Sequence, residues 1–272
     1  MSIAMDESFT NLLLPSGTVG GASLCASEML QRKHYNQIAH EYEAHYGDLS
    51  SREYRRRFIY EPMFAGIDVG KMKVLDAMCG SGHTTEYLLS QGARVTGLDI
   101  SEEEINRFRT RWPDARGLCR SLLDSTLDSN SFDCVTVVGG LHHVHPHVNT
   151  AIREIHRVLK PGGYFCFMEP HSGSIPDVAR RVWYKFDRLF SDNEAAIDVR
   201  DLRKAFANDF VFNRTTYQGN IAFLFVLNSM IFRMPLRAKR FYSPALMAGE
   251  AALGRFQNKL TACFAIAQWQ KK

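Results

Sequence analysis

Between Lys73 and Pro170 the chain alternates short apolar runs with stretches whose apolar residues recur at helical spacing. Lys73–Ala77 is β-branched and apolar, ends in a glycine-rich turn, and predicts a strand. His83–Ser90 predicts a helix that Gly92 stops, and Arg94–Ile100 predicts the next strand. Ser101 and Glu104 make the S-x-x-E of a capping box, opening a helix to about Trp112, where Pro113 ends it. Phe132–Val138 is a strongly apolar strand. Ala151, Ile152, Ile155, Val158 and Leu159 keep the spacing of a helix with one buried face. Pro161-Gly162-Gly163 stops it, and Tyr164–Met168 predicts another strand.

Strands alternating with helices through short loops imply βαβ units and a parallel sheet covered on both faces, an α/β doubly wound fold. In such sheets ligands lie beyond the carboxyl ends of the strands, near the topological switch point. The residues that follow each strand are therefore the candidates for chemistry. Asp76-Ala77-Met78-Cys79-Gly80-Ser81-Gly82 follows the first strand. Its glycines let a backbone approach a ligand closely, although a plain strand-to-helix turn also favours glycine. Asp99 follows the second strand, 19 residues beyond Gly80. There a carboxylate accepts both hydroxyls of a ribose, or simply favours a helix N-terminus. A dinucleotide fingerprint, G-x-G-x-x-G, would need glycine where Thr85 stands.

The pattern resembles the class I S-adenosylmethionine-dependent methyltransferases, whose first motif reads roughly D/E-x-G-x-G-x-G. Gly97-Leu98-Asp99-Ile100-Ser101 is similar to the end of that family's second strand, and Ser131–Val135 to its fourth. Leu141-His142-His143-Val144 is similar to the segment after the fourth strand, and Arg157–Gly163 to the turn before the fifth. The resemblance covers about half the chain, Tyr35 to Pro170. It implies a mostly parallel seven-stranded sheet with an N-terminal helical lid and a helical insertion near the C-terminus.

The same resemblance implies roles. Asp76 would order the first loop and reach the methionine amino group. Gly80 and Gly82 would pass beneath the methionine part, with Met78, in place of the usual first glycine, shaping that edge. Asp99 would hold the ribose, Ile100 would pack on adenine, and Gly139 would lie under the sulfonium. Ser121 stands where the family often has an adenine-contacting Asp, with Asp124 three residues out of register. The Ser121 hydroxyl and the Leu122 amide are the candidate adenine partners. The segment from His34 to Tyr42 is similar to the family's Y/F-D-x-x-A-x-x-Y helix, which places Tyr35 and Tyr42 over the cofactor. An amphipathic helix with half-buried tyrosines fits the same residues.

His142, His143, His145 and His147 crowd the loop after the fourth strand. A metal site would need further ligands at suitable spacing, and none is present in the sequence. His142 and His143 are candidates for a general base or a substrate contact. His145 and His147 read as structural or solvated. Val138-Gly139-Gly140-Leu141 stands where amide- and adenine-N-methylating relatives carry Asn/Asp-Pro-Pro-Tyr/Phe, which argues against those acceptors.

Residues 171–272 carry less of this signature. Ile175–Phe190 interleaves Val178, Val182, Trp183, Phe186, Leu189 and Phe190 with Arg180, Arg181, Lys185 and Arg188, as in an amphipathic lid helix. Asp201–Asn208 resembles the family's helix leading into its sixth strand, about Phe210–Gln218, and Cys263–Trp269 is the expected last strand. Between them Ile221–Phe232 is mostly apolar and is followed by Arg233, Arg237, Lys239 and Arg240. Twelve residues are too few to cross a bilayer, which takes about 20. The preferred reading is a buried helix or homo-oligomer surface roofing a substrate pocket. The second is a basic-rimmed apolar surface that touches membrane or grips a lipophilic substrate.

With 272 residues, 45% of them hydrophobic, the chain suits one large domain with an appended part and excludes intrinsic disorder. A net charge of +4 gives no footprint of a nucleic-acid binder. Cys25, Cys79, Cys119, Cys134, Cys166 and Cys263 are scattered without a C-x-x-C pair, as expected of thiols in a reducing, cytoplasmic setting. Asp6 and Glu7 stand where a signal peptide has positive charge, and Leu12–Leu14 is too short for its apolar segment. The expected organisation is a mobile arm over 1–30, a helical lid over 31–72, a cofactor-binding core over 73–170 and substrate-binding elements over 171–272. The implied function is methyl transfer from S-adenosylmethionine to O or C of a small, rather apolar acceptor, such as a lipid, quinone-like molecule or secondary metabolite. The alternatives are an NAD(P)-dependent oxidoreductase and a non-catalytic S-adenosylmethionine-binding scaffold.

Overall fold

The computed structural model describes residues 18–19, 22–23, 28–29, 32–33, 36, 43–184 and 195–272. Its centre is a seven-stranded sheet of β1 (Lys73–Ala77), β2 (Arg94–Asp99), β3 (Arg116–Cys119), β4 (Phe132–Val138), β5 (Leu159–Pro170), β6 (Phe210–Gln218) and β7 (Phe264–Lys271), in the spatial order β3-β2-β1-β4-β5-β7-β6. Strands β1 to β5 pair in parallel, and β7 runs antiparallel between β5 and β6. The order reverses between β1 and β4, so a crevice opens beyond their carboxyl ends.

Apolar side chains alternate across this sheet with period two, and each face has its own cover. Leu75, Val135, Val137, Phe165 and Phe167 pack with Ile152 and Ile155 of α4 (Val148–Val158) and with Leu202 of α6 (Val199–Ala205). Val74, Cys134, Cys166 and Ile266 face the opposite way. They pack with Leu88 of α2 (His83–Ser90), with Tyr54 of α1 (Leu49–Arg55) and with Ile59 and Met63 just beyond it. Ala222, Val226 and Leu227 join this second layer, as does Met247 of α7 (Leu236–Gly254). Within the apolar 221–227 run, Ala222, Val226 and Leu227 are buried and the other four residues are half-buried. Each fully buried side chain of this size contributes about 1.5–3 kcal/mol. Cys79, Cys119, Cys134, Cys166 and Cys263 are free thiols.

Helix α3 (Glu102–Arg111) starts at Ser101, whose side chain accepts from the Glu104 amide. The predicted capping box is only half formed. The Ser101 amide donates to Asp99 Oδ1 at 2.9 Å instead of to Glu104, which frees the Glu104 side chain to turn, buried, toward Gly80. Helix α4 ends at Val158, where Leu159 is already extended, so Pro161-Gly162-Gly163 neither stops it nor precedes a strand: it lies within β5, with Gly162 at φ 76°. Helix α5 (Ile175–Tyr184) covers the start of the predicted lid helix, and 185–190 lie outside the described residues. No helix among the described residues is long and apolar enough to cross a membrane.

Candidate active site

Chain direction reverses sharply after β1. Met78, Gly80 and Gly82 all have left-handed backbones, at φ 57°, 53° and 90°. Met78 therefore occupies a conformation that costs an L residue about 1–2 kcal/mol. The Gly80 amide donates to Asp99 Oδ2 at 2.9 Å, so the end of β2 fixes the turn after β1. With one amide on each oxygen, the Asp99 carboxylate retains lone pairs for two further donors such as ribose hydroxyls.

A cavity of about 540 Å³ opens over this turn. Asp76, Met78, Gly80, Asp99, Ile100, Leu122, Gly139, His142 and His143 all lie on its wall. Two expected contacts are placed elsewhere. Gly82 lies off the wall and serves packing: a Cβ there would meet Trp112 Nε1 at 2.4 Å and Phe108 Cδ2 at 2.9 Å. Ser121 is also off the wall, because its hydroxyl donates to Glu28 and accepts from the Leu123 amide at 2.9 Å. Tyr35 and Tyr42 lie outside the described residues. Tyr46, Arg55 and Ile59 bring the N-terminal segment onto the cavity, and Phe223, Leu224, Leu227, Met230, Ile231 and Phe232 give it an apolar roof.

The floor is rich in carboxylates. Burial pushes Asp76 up to about 7, against a 2.7 Å hydrogen bond from Thr85 Oγ1 that favours its ionised form. Burial, reinforced by the Asp99 charge, likewise pushes Glu104 up to about 7. Asp99 is also raised by burial, partly offset by its backbone donors. Such a floor attracts a cationic ligand. On the N-terminal side, burial would raise Glu43, but His83, Arg111 and Ser81 hold it well below the usual carboxylate range. Burial and then the Arg55 charge push His83 down to about 4. Arg55 is buried, donates to the Tyr46 carbonyl at 2.6 Å, and has no partner for Nε among the described residues.

The loop after β4 is organised by a residue that the sequence pattern did not single out. Glu169, fully buried near the end of β5, accepts from the Gly140 amide at 2.8 Å and the Leu141 amide at 2.7 Å. Its other oxygen lies 2.8 Å from His142 Nδ1. An acid directly after an apolar strand was the available signal. The His142 and His143 rings sit 3.8 Å apart, centre to centre. His143 also faces the carboxylate of Asp99, whose ionised form it favours. His145 and His147 are half-buried and away from the cavity wall. Among the described residues no group of His, Cys, Asp and Glu is arranged to hold a metal ion.

Residues 75–167 match the family model of a methyltransferase domain. Residues 75–167 are thus a methyltransferase domain, and their motifs resemble those of the class I S-adenosylmethionine-dependent enzymes. An uncharacterized methyltransferase of Synechocystis is 38% identical over 103 residues, covering 38% of this chain and 49% of that protein. The demethylmenaquinone methyltransferase of Staphylococcus epidermidis is 38% identical over 111 residues, covering 38% of this chain and 45% of that protein. The chain thus spans about half the length of these curated relatives. In fold, it is similar to the crystal structure of magnesium protoporphyrin IX methyltransferase from Synechocystis with bound SAH. That likeness has a TM-score of 0.61 at 15% identity and covers 90% of this chain and all of the other.

Proposed function

We propose that this methyltransferase domain transfers a methyl group from S-adenosylmethionine to an oxygen or carbon of a small, largely apolar acceptor. One observation carries the reading: a single cavity joins the Asp99-anchored glycine turn to a roof of Phe223, Leu227, Met230 and Phe232. The residues fit the cofactor's chemistry. Asp99 holds lone pairs for a diol, the carboxylates Asp76 and Glu104 suit positive charge, and Arg55 is a buried cation for a carboxylate. When bound, S-adenosylmethionine supplies a methyl group already activated on a sulfonium.

The chain's own part is alignment, exclusion of water and removal of a proton. The apolar roof excludes water from the cavity. Glu169 fixes the His142 ring by accepting from Nδ1, which leaves Nε2 as its basic nitrogen, to take the proton of a hydroxyl or acidic C–H. The relative named for demethylmenaquinone supports a quinone-like or lipid acceptor.

Calorimetry with S-adenosylhomocysteine and a labelled-methyl assay over hydroxylated quinones, sterols, fatty acyl lipids, sugars and free amino acids test this reading. Binding and label in an apolar acceptor are expected. Label only in sugars or amino acids would overturn the acceptor class. Heat with a nicotinamide dinucleotide and none with S-adenosylhomocysteine would overturn the cofactor.

A further inference from the structure

We infer that the outer side of α5 and the turn after α7 form a docking surface for an anionic lipid bilayer. Ile175, Val178 and Val182 fall on one side of α5 and are 69%, 53% and 56% exposed. Pro176, Ala179 and Arg180 of the same helix line the cavity. The Ile175 amide donates to the Leu260 carbonyl at 2.8 Å, so the strip continues into the turn, where Leu260 and Phe256 are exposed as well. Apolar residues aligned in this way mark a contact surface, whereas singly scattered ones do not.

Charge decides the occupant. Within 174–184 and 251–261 the cations are Arg180, Arg181, Arg255 and Lys259, and the acid is Asp177. Asp177 is buried and paired with Arg180 at 2.8 Å and Arg181 at 3.2 Å. The outward charge is therefore positive, which complements anionic headgroups and opposes a second copy of the same face. Ala179 is exposed and also on the cavity wall, so the strip adjoins the cavity mouth. An acceptor with a long apolar part would then enter from the bilayer without crossing water. That purpose rests on the proposed methyl transfer, while adhesion to lipid does not.

Flotation of the full chain with vesicles of phosphatidylcholine, alone or with phosphatidylglycerol, tests the surface. Binding to the anionic vesicles is expected, falling as salt is raised. F256S/L260S and R255E/K259E should each lower partitioning about tenfold or more, with S-adenosylhomocysteine affinity unchanged as the sign of an intact fold. No binding to anionic vesicles, or equal binding by parent and both variants, would overturn the inference. So would a parent that sediments as a dimer which F256S/L260S dissociates. Vesicle binding without any heat from S-adenosylhomocysteine would instead sink the methyl-transfer reading and leave this one standing.

Discussion

Lys239 Nζ lies 2.5 Å from Asp48 Oδ2, joining α7 to the residue that caps α1 across 191 positions of sequence. The same ammonium donates to the His45 carbonyl at 2.7 Å, Ser51 Oγ at 2.7 Å and Ser229 Oγ at 2.9 Å. It is 2% exposed, and burial lowers its pKa against the pull of Asp48. One buried cation thus ties the N-terminal segment to the roof of the cavity. Lys239→Met should destabilise the fold by about 2–3 kcal/mol, because Ser51 and Ser229 lose a donor and Asp48 its counter-charge. Adding Asp48→Asn should return part of that loss. Urea midpoints would show it, and a single variant as stable as the parent would remove the tether.

Asp99, Gly82 and Ser121 separate binding from packing. Asp99→Ala should weaken S-adenosylhomocysteine about 100-fold, since two charge-assisted hydrogen bonds are lost. Gly82→Ala should act on stability, because the new methyl meets Trp112 at a backbone φ of 90°. A lowered melting temperature is expected there. Ser121→Ala should leave affinity within about twofold, because that hydroxyl is engaged by Glu28 and Leu123. Calorimetry on the three variants decides, and a large loss of affinity in Ser121→Ala would restore it as an adenine contact.

The raised carboxylates give a pH dependence of definite sign. Burial pushes Asp76 and Glu104 up to about 7 in the folded chain, from the ordinary carboxylate values of 3.8 and 4.5. The folded state therefore holds protons that the unfolded state has lost, and their contribution to stability falls as pH rises from about 4 to about 7. Asp76→Asn should flatten that slope in melting temperature. Ionised, the same groups favour a cation. S-adenosylmethionine should therefore gain affinity over S-adenosylhomocysteine between pH 6 and pH 8. An unchanged ratio in competition titrations would mean that these carboxylates do not face the sulfonium end.

The parallel core was legible because local signals agreed with one another there. Lys73–Ala77, His83–Ser90 and Phe132–Val138 have the bounds that their apolar spacing predicts. β3 was missed, since Arg116-Gly117-Leu118-Cys119 shows neither alternation nor an apolar run and owes its form to pairing with β2. The apolar 221–232 insertion was legible as a roof over a pocket, but which of its residues are buried was not, because burial of Ala222 and Val226 depends on contacts with distant segments such as Tyr54. Site residues divided in the same way. Those immediately after β1, β2 and β4 reach the cavity, whereas Gly82 and Ser121 are claimed by Trp112 and Glu28, partners distant in sequence.

Glu169 and His142 give the test of proton removal. With an apolar acceptor, His142→Ala should lower kcat about 100-fold while S-adenosylhomocysteine affinity stays at the parent level. Added imidazole should restore part of the rate, because it supplies the lost base and nothing else. Glu169→Gln keeps the side chain's shape but turns an amide donor toward groups that themselves donate, the Gly140 and Leu141 amides or His142 Nδ1. Its kcat should fall at least tenfold without imidazole rescue, since the loop itself is displaced. Rates near the parent's in His142→Ala would leave alignment and dryness of the cavity as the whole of the protein's contribution.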